Sequence, residues 1–368
     1  MRNSKNLLIA TGITGGHFYP AISFARAYLE NHPDVHIDVL LPKKETAFPL
    51  DSYKNLFQFH HISIQAFPRS LSMSMLLYPW LFLQAFVKTF SFIKKKRPFA
   101  VVSFGSYGSI PAVIAAWLMR IPVVVHEQNR IFGWANLASS FFAKVVAISF
   151  PETLGFAPRH KITCTGYPIR QEILNAVKQE AFDGKSYNPF RILVLGGSQG
   201  SRAINQLIFD FISCLNPAEK ARITILHVTG QKDFKMVSEQ CRVFNLEYQA
   251  FPFHDDIKQL FSIAHFVIAR AGAGTIFEMA AFGLPGFFIP YPYAYSHQFK
   301  NAQYVASLGG AWVESEETVT GVKIKETIWR VLDDAELYQS MASKVRKLHQ
   351  VNADKNIVGL VDGCLKRQ

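Results

Sequence analysis

Short runs of apolar residues without polar alternation recur along this chain. Each runs into a glycine-rich turn and then an amphipathic helix. Residues 7–10 lead into TGITGGHFYP and a helix near 21–30; residues 99–104 lead into GSYGS and a helix near 111–119. Residues 122–126 form another apolar run, ending in HEQN. The second half repeats the scheme. Residues 191–195 precede GGSQGSR and a helix through 212, and residues 266–269 precede RAGAGT and a helix near 276–282. Gly283, Leu284 and Pro285 stop that helix, and residues 287–289 resume as strand. Apolar runs of this kind belong to parallel sheets covered on both faces, and their alternation with helices predicts doubly wound α/β domains. The polar, turn-rich stretch GYPIRQEILNAVKQEAFDGKSYNPF separates two such blocks. The predicted organisation is a first domain over residues 1–168 and a second over 169–349, with the last helix, about 350–368, packing back on the first. Two Rossmann-like domains then face each other across a cleft, with ligands beyond the carboxyl ends of the strands.

Composition narrows the chemistry only a little. The chain has 368 residues, 49% hydrophobic and 18% charged, which suits two cored domains and excludes a disordered chain. Its 39 Lys+Arg against 27 Asp+Glu give a formal charge of +12, a surface for polyanions. Nucleic-acid recognition would interleave aromatic with basic residues on one surface, and no such module occurs; nucleic acid is not an expected partner. The four cysteines are widely spaced, without zinc or redox pairing, which fits a reducing compartment. The start lacks the apolar core and cleavage site of a signal peptide. No segment offers a charge-free spanning stretch; the nearest, residues 71–93, is interrupted by Pro79, Gln84 and Lys88.

The glycine loops carry the candidate chemistry. Thr14, Gly15, Gly16 and His17 stand between a strand and a helix, where glycines admit close backbone approach and helix N–H groups attract anions. Gly196–Gly200 and the segment Gly272–Thr275 repeat the arrangement. Neither the Walker A pattern nor Gly-x-Gly-x-x-Gly is met, which weakens ATP hydrolysis and hydride transfer. Glu278 reads as a helix-cap partner or as an acceptor for two ribose hydroxyls. Arg170 reads as a surface charge or a diphosphate clamp, and Asn129 as a turn former or a ligand.

Taken together, TGGHFYPA, GSYGSIPA, HEQN, GYPIR, GGSQGSRAIN and RAGAGTIFEMAAFGLPGFFIPYPY…HQFKNA resemble the MurG family of lipid-linked muramyl-pentapeptide GlcNAc transferases, in family order. The resemblance implies a GT-B arrangement, with the donor UDP-GlcNAc mostly on the second domain and the acceptor entering from the first. It places Thr14, Gly15, Gly16, Asn129, Arg170, Ser198, His254, Ala273, Gly274, Thr275, Ile276, Phe277, Glu278, His297, Gln298 and Asn301 at donor positions. Ser198 and the Gly200 loop would hold the diphosphate, Glu278 the ribose, and Gln298 with Asn301 the sugar. Three departures stand out. His254 replaces a common aliphatic residue beside uracil, His297 precedes Gln298 where some members carry two glutamines, and the loop 105–110 is bulkier than the usual glycine-rich one.

The reaction so implied inverts at the anomeric carbon, the acceptor C4 hydroxyl displacing UDP. His17 is the expected base, by its position at a helix start and its titration range, with Glu127 in reserve. As a bland alternative, His17 bonds a loop carbonyl. Arg170, Ser198 and helix N-termini supply the positive potential for the leaving group, so no cofactor or obligatory metal is expected. The expected partners are UDP-GlcNAc, the undecaprenyl-linked muramyl-pentapeptide and an anionic membrane surface. The expected location is peripheral, on the cytoplasmic face of the membrane. Residues 71–97, with Leu81, Phe82, Phe86, Phe90 and Ile93 above the basic run 94–97, are the predicted membrane element, partly packed on the sheet. The alternatives are a different GT-B transferase with another acceptor and a non-enzymatic nucleotide-binding protein.

Overall fold

A computed structural model describes residues 5–43, 50–64, 73–179, 189–197, 199–254, 256–292 and 297–366. The chain divides into two units, residues 1–170 with 352–368, and residues 171–351. The first unit is built on a seven-stranded sheet of β1 (Asn6–Ala10), β2 (His36–Pro42), β3 (Gln58–Ile62), β4 (Ala100–Ser103), β5 (Val123–Glu127), β6 (Val145–Ile148) and β7 (Ile162–Cys164). All its pairings are parallel, in the order β3-β2-β1-β4-β5-β6-β7. The helices α1 (Gly15–Asn31), α2 (Met73–Lys96), α3 (Ile110–Leu118) and α4 (Trp134–Phe142) make the crossovers. Val101, Val102, Val124 and Val146 are fully buried, as strands covered on both faces require.

α1 begins six residues earlier than the pattern predicts. Pro20 lies inside it, early enough to cost only one intrahelical bond. α2 runs 24 residues straight through Pro79. By length and composition alone, its part Leu76–Lys96 could cross a membrane, at a mean hydropathy of 1.3, although Lys88 interrupts it as the sequence indicates. The helix is nevertheless built into the unit. Ala85, Thr89 and Ile93 are buried, Phe86, Phe90 and Phe92 pack on the same core, and α2 lies against α3. Only 17% of its apolar window is buried.

The second unit holds α5 (Gln171–Gln179), α6 (Arg202–Ser213), α7 (Pro217–Lys220), α8 (Phe234–Gln240), α9 (Ile257–Ile263), α10 (Ala273–Phe282), α11 (His297–Ser307), α12 (Gly321–Leu332) and α13 (Ala335–Arg346). Its sheet of β8 (Phe190–Leu195), β9 (Ile223–Val228), β10 (Glu247–Phe251), β11 (Phe266–Ala269), β12 (Gly286–Phe288) and β13 (Ala311–Val313) is again parallel, ordered β10-β9-β8-β11-β12-β13. Gly283 ends α10 at φ +68°, the left-handed cap that its sequence predicts. The chain then returns to the first unit as α14 (Ala353–Lys366). Ile357, Val358, Val361 and Cys364 of this helix join the core under α1. Asp362 accepts from the Tyr28 hydroxyl at 3.1 Å, and Lys144 donates to the Cys364 carbonyl at 2.8 Å.

Each sheet reverses strand order once, between β1 and β4 and between β8 and β11. In open parallel sheets the crevice beyond the carboxyl ends at such a point is where ligands bind.

Candidate active site

In the first unit the crevice is walled by the loop entering α1 and the loop leaving β4. The two loops touch closely. A Cβ on Gly12 would come within 2.8 Å of Ser106 Cβ and 3.1 Å of His17 Cδ2, so glycine is required there. Thr11 Oγ1 donates to the His17 carbonyl at 2.9 Å, tightening the turn into α1. Thr14 is the extended N-cap residue of α1, and it and Gly16 are exposed at the helix mouth, with Gly15 half-buried. His17 is half-buried, and its Nδ1 lies 2.8 Å from the Phe104 carbonyl oxygen. A carbonyl only accepts, so Nδ1 carries the proton and Nε2 the lone pair.

Glu127 closes the carboxyl end of β5 and is 1% exposed. Its Oε1 accepts from the backbone N–H of Asn129 (2.9 Å) and from Asn129 Nδ2 (3.2 Å). Oε2 accepts from the Gly133 N–H (3.0 Å) and Asn136 Nδ2 (2.9 Å). Four donors spend this carboxylate on shaping the HEQN turn. His126, fully buried beside it, is pushed down to about 4 by burial, so it stays neutral at physiological pH. Arg170 lies with its guanidinium 4.7 Å from the Tyr19 ring of α1, stacked on the helix that begins at the first glycine loop.

In the second unit Ser198 lies outside the described residues, but the loop around it is held tightly. Gly200 (φ +78°) and Gly230 (φ +85°) meet backbone to backbone: a Cβ on Gly200 would sit 2.3 Å from the Thr229 carbonyl, and one on Gly230 2.6 Å from that of Gln199. Ser201 caps α6 by accepting from the Ile204 N–H, and accepts also from Arg270 Nη2 at 2.7 Å. Arg270 further donates to the carbonyls of Ile289 (3.0 Å) and Pro290 (3.2 Å) and pairs with Glu316. One buried guanidinium therefore ties the loops after β8, β12 and β13 together.

Of the segment Ala273–Glu278, the side chains of Ala273, Ile276 and Phe277 are buried in the core; Gly274, Thr275 and Glu278 are half-buried at the start of α10. A Cβ added at Gly272 would meet nothing within 4 Å, so open space lies over this helix start. Asn301 is fully buried and donates to the Ala271 carbonyl at 3.1 Å, bracing the same loop. Gln298 Oε1 accepts from the Tyr291 N–H at 2.9 Å, with half-buried His297 next to it. His254 is half-buried, its ring 4.9 Å from that of Phe251 at the end of β10.

Comparison with known proteins assigns this double arrangement. Residues 7–148 match the glycosyltransferase family 28 N-terminal domain, and residues 191–357 the family 28 C-terminal domain. A relative from Coxiella burnetii (strain RSA 493), named UDP-N-acetylglucosamine–N-acetylmuramyl-(pentapeptide) pyrophosphoryl-undecaprenol N-acetylglucosamine transferase, is 34% identical, covering 96% of this chain and 97% of its own. The chain belongs to the MurG family. A relative of the same name from Thermodesulfovibrio yellowstonii is 33% identical, covering 98% and 99%. The crystal structure of Acinetobacter baumannii MurG matches with a TM-score of 0.78 at 28% identity, over 97% of this chain and 99% of that one. As a MurG-family member the chain is a glycosyltransferase with two Rossmann-like domains, as the order of its motifs implies.

Sequence reasoning passed over Gly230, Arg270 and Ser201. The signal for Gly230 was present: it follows an apolar run, residues 223–228, just as the other site glycines follow theirs. Arg270 was marked only by standing between such a run and a glycine pair, and its four partners, Ser201, Ile289, Pro290 and Glu316, are remote in sequence.

Proposed function

We propose that this chain transfers GlcNAc from UDP-GlcNAc to the C4 hydroxyl of undecaprenyl-pyrophosphoryl-MurNAc-pentapeptide, with inversion. Its near full-length identity to transferases of that name carries the reading. The acceptor oxygen forms the new bond to the anomeric carbon as the bond to UDP breaks, and His17 Nε2 takes the hydroxyl proton. The Nδ1–H bond to Phe104 leaves the basic nitrogen opposite, which supports His17 over Glu127, whose oxygens already serve four donors. In the second unit the glycine loop around Ser198 and the N-terminus of α6 hold the diphosphate, Glu278 holds the ribose, and the loop backbone beside His254 borders the base; in the first unit Arg170 offers a charge for a diphosphate. Gln298 and His297 face the sugar, Asn301 acting through the Ala271 carbonyl. Thr14, Gly15, Gly16 and Asn129 border the transferring sugar, and Gly274 and Thr275 supply N–H groups. Positive potential comes from Arg170 and the helix N-termini, so catalysis requires no metal. Dialysis against a chelator is expected to leave turnover unchanged.

The enzyme works as a peripheral protein on the cytoplasmic face of an anionic membrane. The exposed side of α2, with Leu76, Trp80, Leu83 and Val87 one or two turns apart, supports this. This helix packs against α3, the helix that follows the loop after β4.

Purified protein given UDP-GlcNAc and the lipid-linked acceptor should form the lipid-linked disaccharide; no transfer would overturn the reading. His17→Gln should lower turnover by roughly 10²–10⁴-fold with UDP affinity kept. Near-normal turnover of the folded variant would move the base elsewhere.

A further inference from the structure

The HEQN turn contributes a side chain that touches neither crevice loop's mouth yet meets the partner of His17. Gln128 is 1% exposed, and its Nε2 lies 2.9 Å from the Phe104 carbonyl oxygen, the same atom that accepts from His17 Nδ1. Nε2 also lies 3.2 Å from His126 Nδ1 and 3.2 Å from the His126 carbonyl. Three acceptors around one amide nitrogen fix which end of the amide is the donor. His126 completes the chain of bonds. Its Nε2 faces the Gly166 carbonyl at 3.2 Å, so Nε2 carries the proton and Nδ1 is left to accept from Gln128. Ser149 Oγ, 3.3 Å from the same Nε2, gives its own proton to the Glu127 carbonyl at 3.1 Å and accepts from the ring. Proton positions are thereby determined from Gly166 through His126 and Gln128 to Phe104.

The Phe104 peptide needs such a hold. The Phe104 N–H pairs with Ala10 at 2.9 Å in the preceding peptide plane, while the plane that carries the Phe104 carbonyl is otherwise held by one long bond, from the Gly105 N–H to Ser103 Oγ at 3.3 Å. The next two residues, Gly105 and Ser106, have φ of +86° and +77°. A glycine beside the peptide makes rotation of its plane easy. The arrangement also leaves Gln128 Oε1 buried without a partner among the described residues, a cost that stability alone does not explain.

We propose that Gln128 is a positioning residue for the transferase reaction: by fixing the Phe104 carbonyl it holds His17 in its Nδ1–H tautomer and aims Nε2 at the acceptor hydroxyl. This rests on His17 being the base, and the test separates the two ideas. Protein labelled in its histidine rings is examined by nitrogen and carbon NMR, the His17 signals being assigned by their loss in His17→Gln. In the wild type, His17 should show the Nδ1–H pattern alone near neutral pH. A dominant Nε2–H pattern there overturns the proposal without any further variant. Gln128→Met keeps the length of the side chain and deletes both donors; Gln128→Glu keeps its shape and faces the carbonyl with an acceptor. Both should give mixed His17 tautomers and lower kcat by roughly 10- to 100-fold, the scale of a misaimed catalytic group. KM for UDP-GlcNAc and UDP affinity should not change. An unchanged tautomer overturns the proposal, whatever kcat does. Mixed tautomers with full kcat show that Gln128 sets the His17 tautomer but that His17 is not the base, which overturns the positioning role in the transfer.

Discussion

Ser106 sits where the backbone favours glycine, at φ +77° and ψ +148°, and it is not one. A side chain held there costs of order 1–3 kcal/mol. Its Cβ is also the atom against which Gly12 must close. Ser106→Gly is therefore expected to stabilise the first unit by about 1 kcal/mol and raise its thermal midpoint. An unchanged or lower midpoint would show that the serine is not strained. Histidine burial makes a second prediction. His126 is pushed down to about 4 and His227 to about 3, in both cases chiefly by burial. A histidine free in the unfolded chain protonates near 6.5 while these remain neutral in the fold. The unfolded state then binds more protons between those values, so stability is full above about 6.5 and lost as pH falls toward 4. His126 alone contributes about 3 kcal/mol to that loss. Denaturant midpoints from pH 7 to 4.5 should fall in the wild type and less steeply in His126→Asn, and equal slopes would remove His126 from the effect. Neither property is legible in the sequence. Ser106 reads as a turn serine, and a histidine at the end of an apolar run reads equally as ligand or core.

At the scale of elements, the paired glycines explain why the loops after β8 and β9 hold their shape. Gly200 and Gly230 stack backbone on backbone, with φ values that disfavour any side chain. Gly230→Ala is expected to push the Gly196–Gly200 loop off its partner, lowering both UDP affinity and the stability of the second unit. Gly272→Ala has room and an ordinary φ of −65°, so stability should be kept while a donor lying over α10 meets the new methyl. Calorimetry with UDP and thermal unfolding separate the two, and equal stability for both variants would refute the stacking argument. Much at this scale was open to reading. The strands 7–10, 191–195 and 266–269, the glycine loops behind them and the stop at Gly283 all follow from local pattern. Less was open where bonds run between remote residues. Glu127 alone reads as an acid–base group, and only the four donors from 129, 133 and 136 reveal it as the anchor of a turn. Asn301 reads from the sequence as a sugar ligand, and its amide bond to the Ala271 carbonyl could not be read there. In α2 the helical period was clear, but the side facing out was not. Phe82, Phe86 and Phe90 turn half inward, and Leu76, Leu77, Trp80, Leu83 and Val87 are the apolar side chains left outside.

For the molecule as a whole, the proposed attachment to a membrane rests on that outer side of α2. Trp80 is 60% exposed and Leu76 78%, and Trp117 and Leu118 at the end of the adjoining α3 are exposed as well. Burying such side chains in the interface is worth roughly 25 cal/mol per Å², enough for reversible binding. The basic run at the end of the helix divides into two roles. Lys94, Lys95 and Arg97 are exposed, and each should add about 1 kcal/mol near anionic headgroups. Lys96 instead donates to buried Asp38 at 2.9 Å and to Gln58 at 3.1 Å, while His60 meets the same Asp38 oxygen at 2.7 Å. It fastens the helix to β2 and β3 and has little charge left to offer a lipid. Replacing Lys94, Lys95 and Arg97 with Gln should weaken sedimentation with anionic vesicles most at low salt, where screening is least. Replacing Trp80 and Leu83 with Ser should weaken it at every salt concentration. Lys96→Gln should lower the thermal midpoint, since it strips Asp38 of a partner, and change vesicle binding little. UDP affinity should be the same in all three, because none of the replaced residues is among the proposed donor positions. If the first two sets partition like the wild type, α2 serves only as a cover for the sheet and the lipid acceptor is met through another surface.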